Sequence, residues 1–190
     1  IKIKKGLPED ESQALVFLYM MSSQLEPEEY LSILNDFIKM YPNNMEGYLR
    51  RATYYMDKNS EDLINNVEES LKKTVDVAEN KAEAHYSIAK LIYNYNASNA
   101  KKLEKADWTL KRALDEINQA LSVSGEGLYY QVQGDIYFAM KDYDNAATAY
   151  ENVCKTPLAS AATFYSAAKA RELVENADKK GIIALMDSAV

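Results

Sequence analysis

The chain has 190 residues, 47% of them hydrophobic and 27% charged, enough for one ordinary domain or two small ones and too apolar for wholesale disorder. Lys plus Arg number 22 against 29 Asp plus Glu, and a net charge of -7 repels a phosphate backbone, so no nucleic-acid partner is expected. With only 6 Gly and 4 Pro, about half the usual share, a β-sandwich lacks turns, and the class expected is all-α. The longest apolar run, Ala14 to Met21, falls far short of the roughly 20 residues a membrane helix needs. No integral membrane segment is expected. The chain opens at Ile1 without an initiator Met, as a trimmed or processed chain would. A cytoplasmic protein and a bacterial periplasmic or cell-envelope protein that has lost its leader are both compatible. Cys154 is the one cysteine; it cannot close an internal disulfide and excludes neither redox compartment.

In chain order, Ile1 to Lys5 alternate apolar and basic residues, a strand-like pattern without a partner strand, and are read as the frayed part of a tail over residues 1–10. A first helical pair covers residues 11–44. In it Pro27, Glu28 and Glu29 set a proline and two acids in a first turn, where a missing N–H does no harm and the dipole favours carboxylates. Met40-Tyr41-Pro42-Asn43-Asn44 stops that helix and offers an Asn cap to the next. A second pair over 45–81 carries Tyr48 and Ala52 in one helix and Val67, Leu71 and Thr74 in the other, with extra residues around Asp57 to Leu63. A third over 82–126 opens with Ala82-Glu83-Ala84-His85-Tyr86-Ser87-Ile88-Ala89 and returns through Ala113, Ile117 and Ala120. It holds about twelve extra residues around Asn94 to Lys105. Ala100, Leu103, Ala106 and Leu110 continue the spacing of three and four back from Ala113, with Ser98 as a cap. The second helix of this pair is therefore predicted to start early and project beyond its neighbours. A fourth pair over 127–160 has its turn at Lys141-Asp142 and is closed by Pro157; a partial fifth over 161–190 holds Ile182, Met186 and Ala189 in its second helix, with the register of its first open by about two residues.

The fourth segment, GLYYQVQGDIYFAMKDYDNAATAYENVCKTP, resembles a tetratricopeptide repeat, a helix-turn-helix unit of about 34 residues. Tyr130 matches the large aromatic position, Gly134 the small one, and Tyr137, the run Asp142 to Ala146, Tyr150 and Pro157 follow in register. Two antiparallel helices approach closely where both present small side chains, so Gly134 and Ala146 are expected at their contact, with Tyr130, Tyr137 and Tyr150 filling the space around it. Val153 stands where the family prefers Ala. In the first pair Leu18 and Tyr30 replace the small residues. The resemblance covers residues 11–190 as a single domain and implies a right-handed α-α superhelix of antiparallel helix pairs.

Chemistry-bearing constellations are sparse. His85, the sole histidine, falls at a bulky aromatic position of the repeat and is read as packing; no His or Cys stands at ligand spacing from it. Cys154 reads as a small thiol late in a second helix. The acidic groups Glu9/Asp10/Glu11, Glu26/Glu28/Glu29 and Glu61/Asp62/Glu68/Glu69 sit at helix starts or on polar faces. Phosphate-loop, HExxH and calcium-loop patterns are missing, and Asn96-Ala97-Ser98 matches a glycosylation sequon of the kind that arises by chance. No catalytic residue, cofactor or metal ion is expected.

What remains is surface. The resemblance implies a concave groove lined by the first helices: Leu15 and Tyr19; Leu49, Thr53 and Met56; Tyr86, Lys90 and Tyr93; Gln131, Asp135 and Phe138. Some family members clamp a terminal carboxylate there with Lys and Asn, but Leu15, Tyr19, Leu49 and Thr53 stand at the early positions of that pattern, so such a clamp is not expected. The tyrosines serve either binding or packing between repeats. Trp108 shares a face with Glu104, Lys111, Arg112 and Asp115 and reads either as packed on Tyr93 or Tyr95 or as an exposed contact point. The leading expectation is a non-catalytic scaffold holding a peptide or partner helix. The alternative is a structural spacer or homo-oligomer joined through its C-terminal end, where Ile182-Ile183-Ala184-Leu185-Met186 leaves an apolar stripe to be covered.

Overall fold

The computed structural model describes residues 7–98, 100–174 and 179–189, among which all regular structure is helical. The strand-like stretch Ile1 to Lys5 lies outside the described residues. Contacts divide the chain into two compact units, Ile1–Glu79 and Asn80–Val190.

In the first unit α1 (Glu11–Met21), α2 (Pro27–Met40), α3 (Met45–Lys58) and α4 (Ile64–Val77) each pack on the next. Asp10 caps α1, its carboxylate accepting from Gln13 N at 2.9 Å, and Asn44 caps α3 by accepting from Glu46 N at 2.9 Å and Gly47 N at 3.3 Å. Such caps satisfy donors that have no partner inside the helix. Ala14, Leu18 and Met21 form one stripe that meets Tyr30, Leu34 and Phe37 of α2, each large side chain contributing about 1.5–3 kcal/mol by burial. Residues just before α1 are held in place: Leu7 packs on this core, and the Tyr41 hydroxyl donates to Glu9 O at 2.7 Å. Asn59 ends α3 in the left-handed region, at φ 48°, and a short 3₁₀ turn at Glu61–Leu63 takes up the extra residues before α4.

The core of α4 includes hydroxyls. Ser70 and Thr74 are fully buried; Ser70 Oγ accepts from Arg51 Nε at 3.0 Å and donates to Asn66 O at 2.7 Å, and Thr74 Oγ1 donates to Ser70 O at 2.9 Å. Every buried hydroxyl there has a partner, so desolvation is offset.

The second unit holds α5 (Lys81–Ala97), α6 (Leu110–Val123), α7 (Gly127–Ala139), α8 (Tyr143–Val153), α9 (Ala161–Glu172) and α10 (Lys179–Asp187), again packed in sequence, with α5 also against α7. Asn80, Thr109, Asp142 and Ser160 cap α5, α6, α8 and α9 through their side chains. Lys141 turns the chain between α7 and α8 at φ 63°. Ala89, Ala113, Ile117 and Ala120, spaced by the pattern of the third pair, are fully buried. Arg171 of α9 donates from Nε and Nη2 to Glu151 at 2.7 and 3.1 Å and from Nη1 to Asp144 at 2.6 Å, fixing α9 on α8 with the forked geometry that suits a guanidinium.

The expected early start of the second helix in the third pair is corrected. It is α5 that is long, reaching Ala97, and α6 begins only at Leu110. Ser98 ends α5 instead of opening α6, its hydroxyl donating to Tyr95 O at 2.7 Å. The chain that follows wraps around Tyr95: Lys102 Nζ donates to Tyr95 O, Leu103 N to Tyr95 Oη at 3.1 Å, and Asn96 Nδ2 to Trp108 O at 2.7 Å. These tertiary bonds, together with burial of Trp108, outweigh the helical spacing of Ala100, Leu103 and Ala106. Asn96 of the sequon is thereby used internally.

Gly134 shows why the fourth pair closes tightly. A Cβ there would lie 2.5 Å from Tyr150 Cε1 and 2.6 Å from Cδ1, so the ring of Tyr150 occupies the space a side chain would need. Ala146 is fully buried beside it. A Gly134→Ala exchange adds helix propensity of up to about 1 kcal/mol but forces the ring aside at an overpacking cost of about 1–3 kcal/mol. The expected net result is a lower midpoint in thermal denaturation followed by circular dichroism.

Candidate functional site

The residues expected to line a groove are described unit by unit. In the first unit Leu15, Leu49 and Thr53 are half-buried and Tyr19 is 54% exposed. Met56 is corrected from lining to core: it is 2% exposed, because it continues the stripe of Tyr48 and Ala52 at steps of four. The Thr53 hydroxyl is engaged within its own helix, donating to Leu49 O at 3.0 Å. Around Tyr19 stands a cluster that was not anticipated. The Tyr19 hydroxyl donates to Glu46 Oε1 at 3.0 Å, and the Arg50 guanidinium carbon lies 3.4 Å over the Tyr19 ring. Arg50 Nε is 2.9 Å from Glu46 Oε1, close as an ion pair though its N–H is not aligned as a hydrogen bond. The Glu46 and Arg50 pair, one helical turn apart, was the sequence signal available for it.

In the second unit α5 contributes Tyr86, Lys90 and Tyr93, and α7 contributes Gln131, Asp135 and Phe138. Tyr86 is half-buried and meets the Tyr129 ring at 5.1 Å; Lys90 is exposed, with Nζ 5.8 Å from the Tyr86 ring centre. Phe138 is shared with the core, edge-on to Tyr143 at 5.3 Å and packed against the cluster of Ala146, Tyr150 and Ala167. The polar members converge on one carboxylate. Asp135 Oδ1 accepts from Gln131 Nε2 at 3.0 Å and from the Tyr150 hydroxyl at 2.8 Å. Burial, then the charge of Asp135, raises the pKa of Tyr93. Burial likewise leads the rise at Tyr150, reinforced by the charge of Asp135 and the hydrogen bond to it. Tyr150 reaches this site from α8, an approach that only the pairing of helices creates.

Of the two readings of Trp108, packing on Tyr95 holds and the exposed contact is corrected: it is 2% exposed and edge-on to Tyr95 at 5.2 Å. His85 is packed between helices, as expected, and adds a polar contact. Its Nδ1 lies 2.7 Å from Glu116 Oε2, joining α5 to α6 through a polar bond. Cys154 is half-buried with Sγ 3.8 Å from Thr163 Oγ1, and burial raises its pKa. A surface depression lies between residues 125–128 and 155–158, where Thr156 Oγ1 would stand 2.5 Å from a Cβ on Gly127. Among the described residues no group of three His, Cys, Asp or Glu is placed to hold a metal ion, and no helix is long and apolar enough to cross a membrane.

Solved structures share this arrangement of helices. The crystal structure of MamA superposes with a TM-score of 0.63 at 22% identity, over 90% of this chain and 90% of that one. YrrB, a tetratricopeptide protein with an unusual peptide-binding site, gives 0.58 at 15% identity over 95% and 85%. TTC0263, a thermophilic tetratricopeptide protein of Thermus thermophilus, gives 0.59 at 15% over 95% and 90%. The fold is that of tetratricopeptide-repeat proteins. No protein-family model and no curated protein matches the sequence. Within that fold, Gly134, Ala146 and Tyr150 form the close contact of the fourth helix pair.

The raised Tyr150 pKa carries a stability consequence. In the folded protein the phenol keeps its proton above about pH 10, where an unfolded tyrosine loses it. Above that pH the native state binds more protons, so this contribution is complete below about pH 10 and declines as pH rises beyond it. Tyr93, Tyr129 and Tyr137 shift in the same direction. Urea unfolding of Tyr150→Phe is expected to show a shallower alkaline loss of stability than wild type between pH 9.5 and 11 (roughly the window of unfolded-state tyrosine ionisation).

Proposed function

We propose that this protein is a non-catalytic scaffold whose first helices hold a peptide or helical segment of another protein. The observation that carries the reading is the face of α5 and α7, where Tyr86, Tyr93, Gln131 and Asp135 remain half-buried and Lys90 exposed, although the neighbouring positions are sealed into the core. Half-buried tyrosines offer large contact area at low entropic cost, the composition suited to recognition. The fold shared with YrrB, which has a peptide-binding site, supports the reading. Changing both Tyr86 and Tyr93 to Ala in a still-folded protein is expected to weaken capture of a partner by about tenfold or more, read by surface plasmon resonance against the partner recovered from native extract. Unchanged affinity removes these helices as the binding face.

A second reading, self-association through the C-terminal end, is favoured by one observation. On α10 Ile183 is 58% and Met186 39% exposed, and no residue of that helix is buried. Adjacent exposed apolar side chains of this kind favour a covered state. If copies join there, light scattering on a size-exclusion column gives an oligomer that Ile183→Asp returns to monomer. A monomer in the wild type at high concentration contradicts this reading.

A further inference from the structure

The carboxylate of Asp135 is held but not neutralised. Both of its hydrogen bonds, from Gln131 Nε2 and Tyr150 Oη, arrive at Oδ1. Among the described residues no Lys or Arg forms an ion pair with it. Lys90, the basic residue among the expected lining of α5 and α7, directs its ammonium toward the Tyr86 ring. Elsewhere in this unit two partly buried acids do have cationic or histidine partners, Glu151 with Arg171 and Glu116 with His85, while Asp142 is engaged in capping α8 through Asn145. Two neutral donors therefore orient Asp135 rigidly while Oδ2 retains its lone pairs, and Tyr93 of α5 stands within the field of the charge. A half-buried anion fixed by neutral donors gains most from a cation that arrives with a bound molecule. A flanking tyrosine ring favours the same guest through its quadrupole.

We propose, building on the scaffold reading, that this face takes an Arg or Lys side chain of the bound segment, with Asp135 Oδ2 as its counter-charge and Tyr93 alongside. The partner is thus a basic peptide. The acidic balance of the chain, 29 acids against 22 bases, steers such a segment toward the surface, and Asp135 gives one of its cations a defined seat.

The test uses the full chain and fluorescein-labelled octapeptide pools with Arg, Lys, citrulline, norleucine or Glu fixed at a central position and random residues elsewhere, titrated by anisotropy. The Arg and Lys pools are expected to bind about tenfold or more tightly than the citrulline and norleucine pools. Asp135→Asn, which keeps an oxygen for Tyr150 and Gln131, is expected to erase that preference, while Asp115→Asn, neutralising an exposed acid on α6, keeps it. Carbodiimide coupling of the Lys pool to wild type, followed by peptide mapping, is expected to place the crosslink at Asp135 and decides the matter without any variant. A preference for Glu, no preference, a preference that survives Asp135→Asn, or coupling only at other carboxylates overturns the inference. In those outcomes the uncharged pools still bind in a manner sensitive to Tyr86→Ala and Tyr93→Ala, and the scaffold reading stands. Failure of every pool to bind overturns both.

Discussion

The missing side chain at Gly134 is the constraint from which the second unit's surface follows. Because no Cβ stands there, the Tyr150 ring lies against the α7 backbone, and its hydroxyl emerges beside Asp135 at 2.8 Å. A single steric allowance thus closes the helix pair and orients the carboxylate on the face of α7. Packing and surface chemistry are coupled through one aromatic ring: its body serves the core and its polar end serves the surface, as tyrosine permits.

Polar groups inside the helices follow the same economy. Ser70 and Thr74 occupy fully buried positions of α4, yet each hydroxyl bonds a carbonyl one turn back and Ser70 also receives Arg51. Arg51 is drawn along the surface of its own unit, leaning also on Tyr48 with its guanidinium 5.4 Å from that ring. In the second unit the corresponding role falls to His85 with Glu116 and to Arg171 with Glu151 and Asp144. Asp135 is set apart from these by receiving neutral donors only. That contrast, rather than the number of acids on the surface, distinguishes it as a place for an incoming cation.

The segment between α5 and α6 shows how local spacing yields to tertiary bonding. Ala100, Leu103 and Ala106 recur at helical intervals, but a helix through them would carry Trp108 away from Tyr95. The observed loop buries Trp108 to 2% exposure, where an indole can contribute several kcal/mol. It also supplies Tyr95 with bonds from Leu103 and Lys102. A few alanines at the right spacing gain only tenths of a kcal/mol each as helix, so the aromatic contact prevails.

Much of the fold was legible from residue order alone. The cap at Asn44, the turn at Lys141-Asp142, the stop at Pro42, and the apolar steps through Val67, Leu71 and Thr74 or Ala113, Ile117 and Ala120 are local signals, and the helices form where those signals lie. Gly134 marked a close approach because only a residue without Cβ tolerates one. Residue order did not reveal which polar groups would meet across helices. The bonds of Tyr150 to Asp135, His85 to Glu116 and Arg50 over Tyr19 join residues 15 to 31 positions apart, and sequence spacing records periodicity within one helix, not the rotation of one helix against another. Met56 illustrates the limit from the other side, since a shift of one position around the helix separates a lining residue from a core residue. The sequence by itself therefore determined the helices and their pairing, the segment between α5 and α6 excepted, through propensity, capping and apolar period. Tertiary structure alone decided which side chains are sealed and that Asp135 meets the Tyr150 hydroxyl rather than a cation, because burial and charge pairing depend on neighbours brought by other helices.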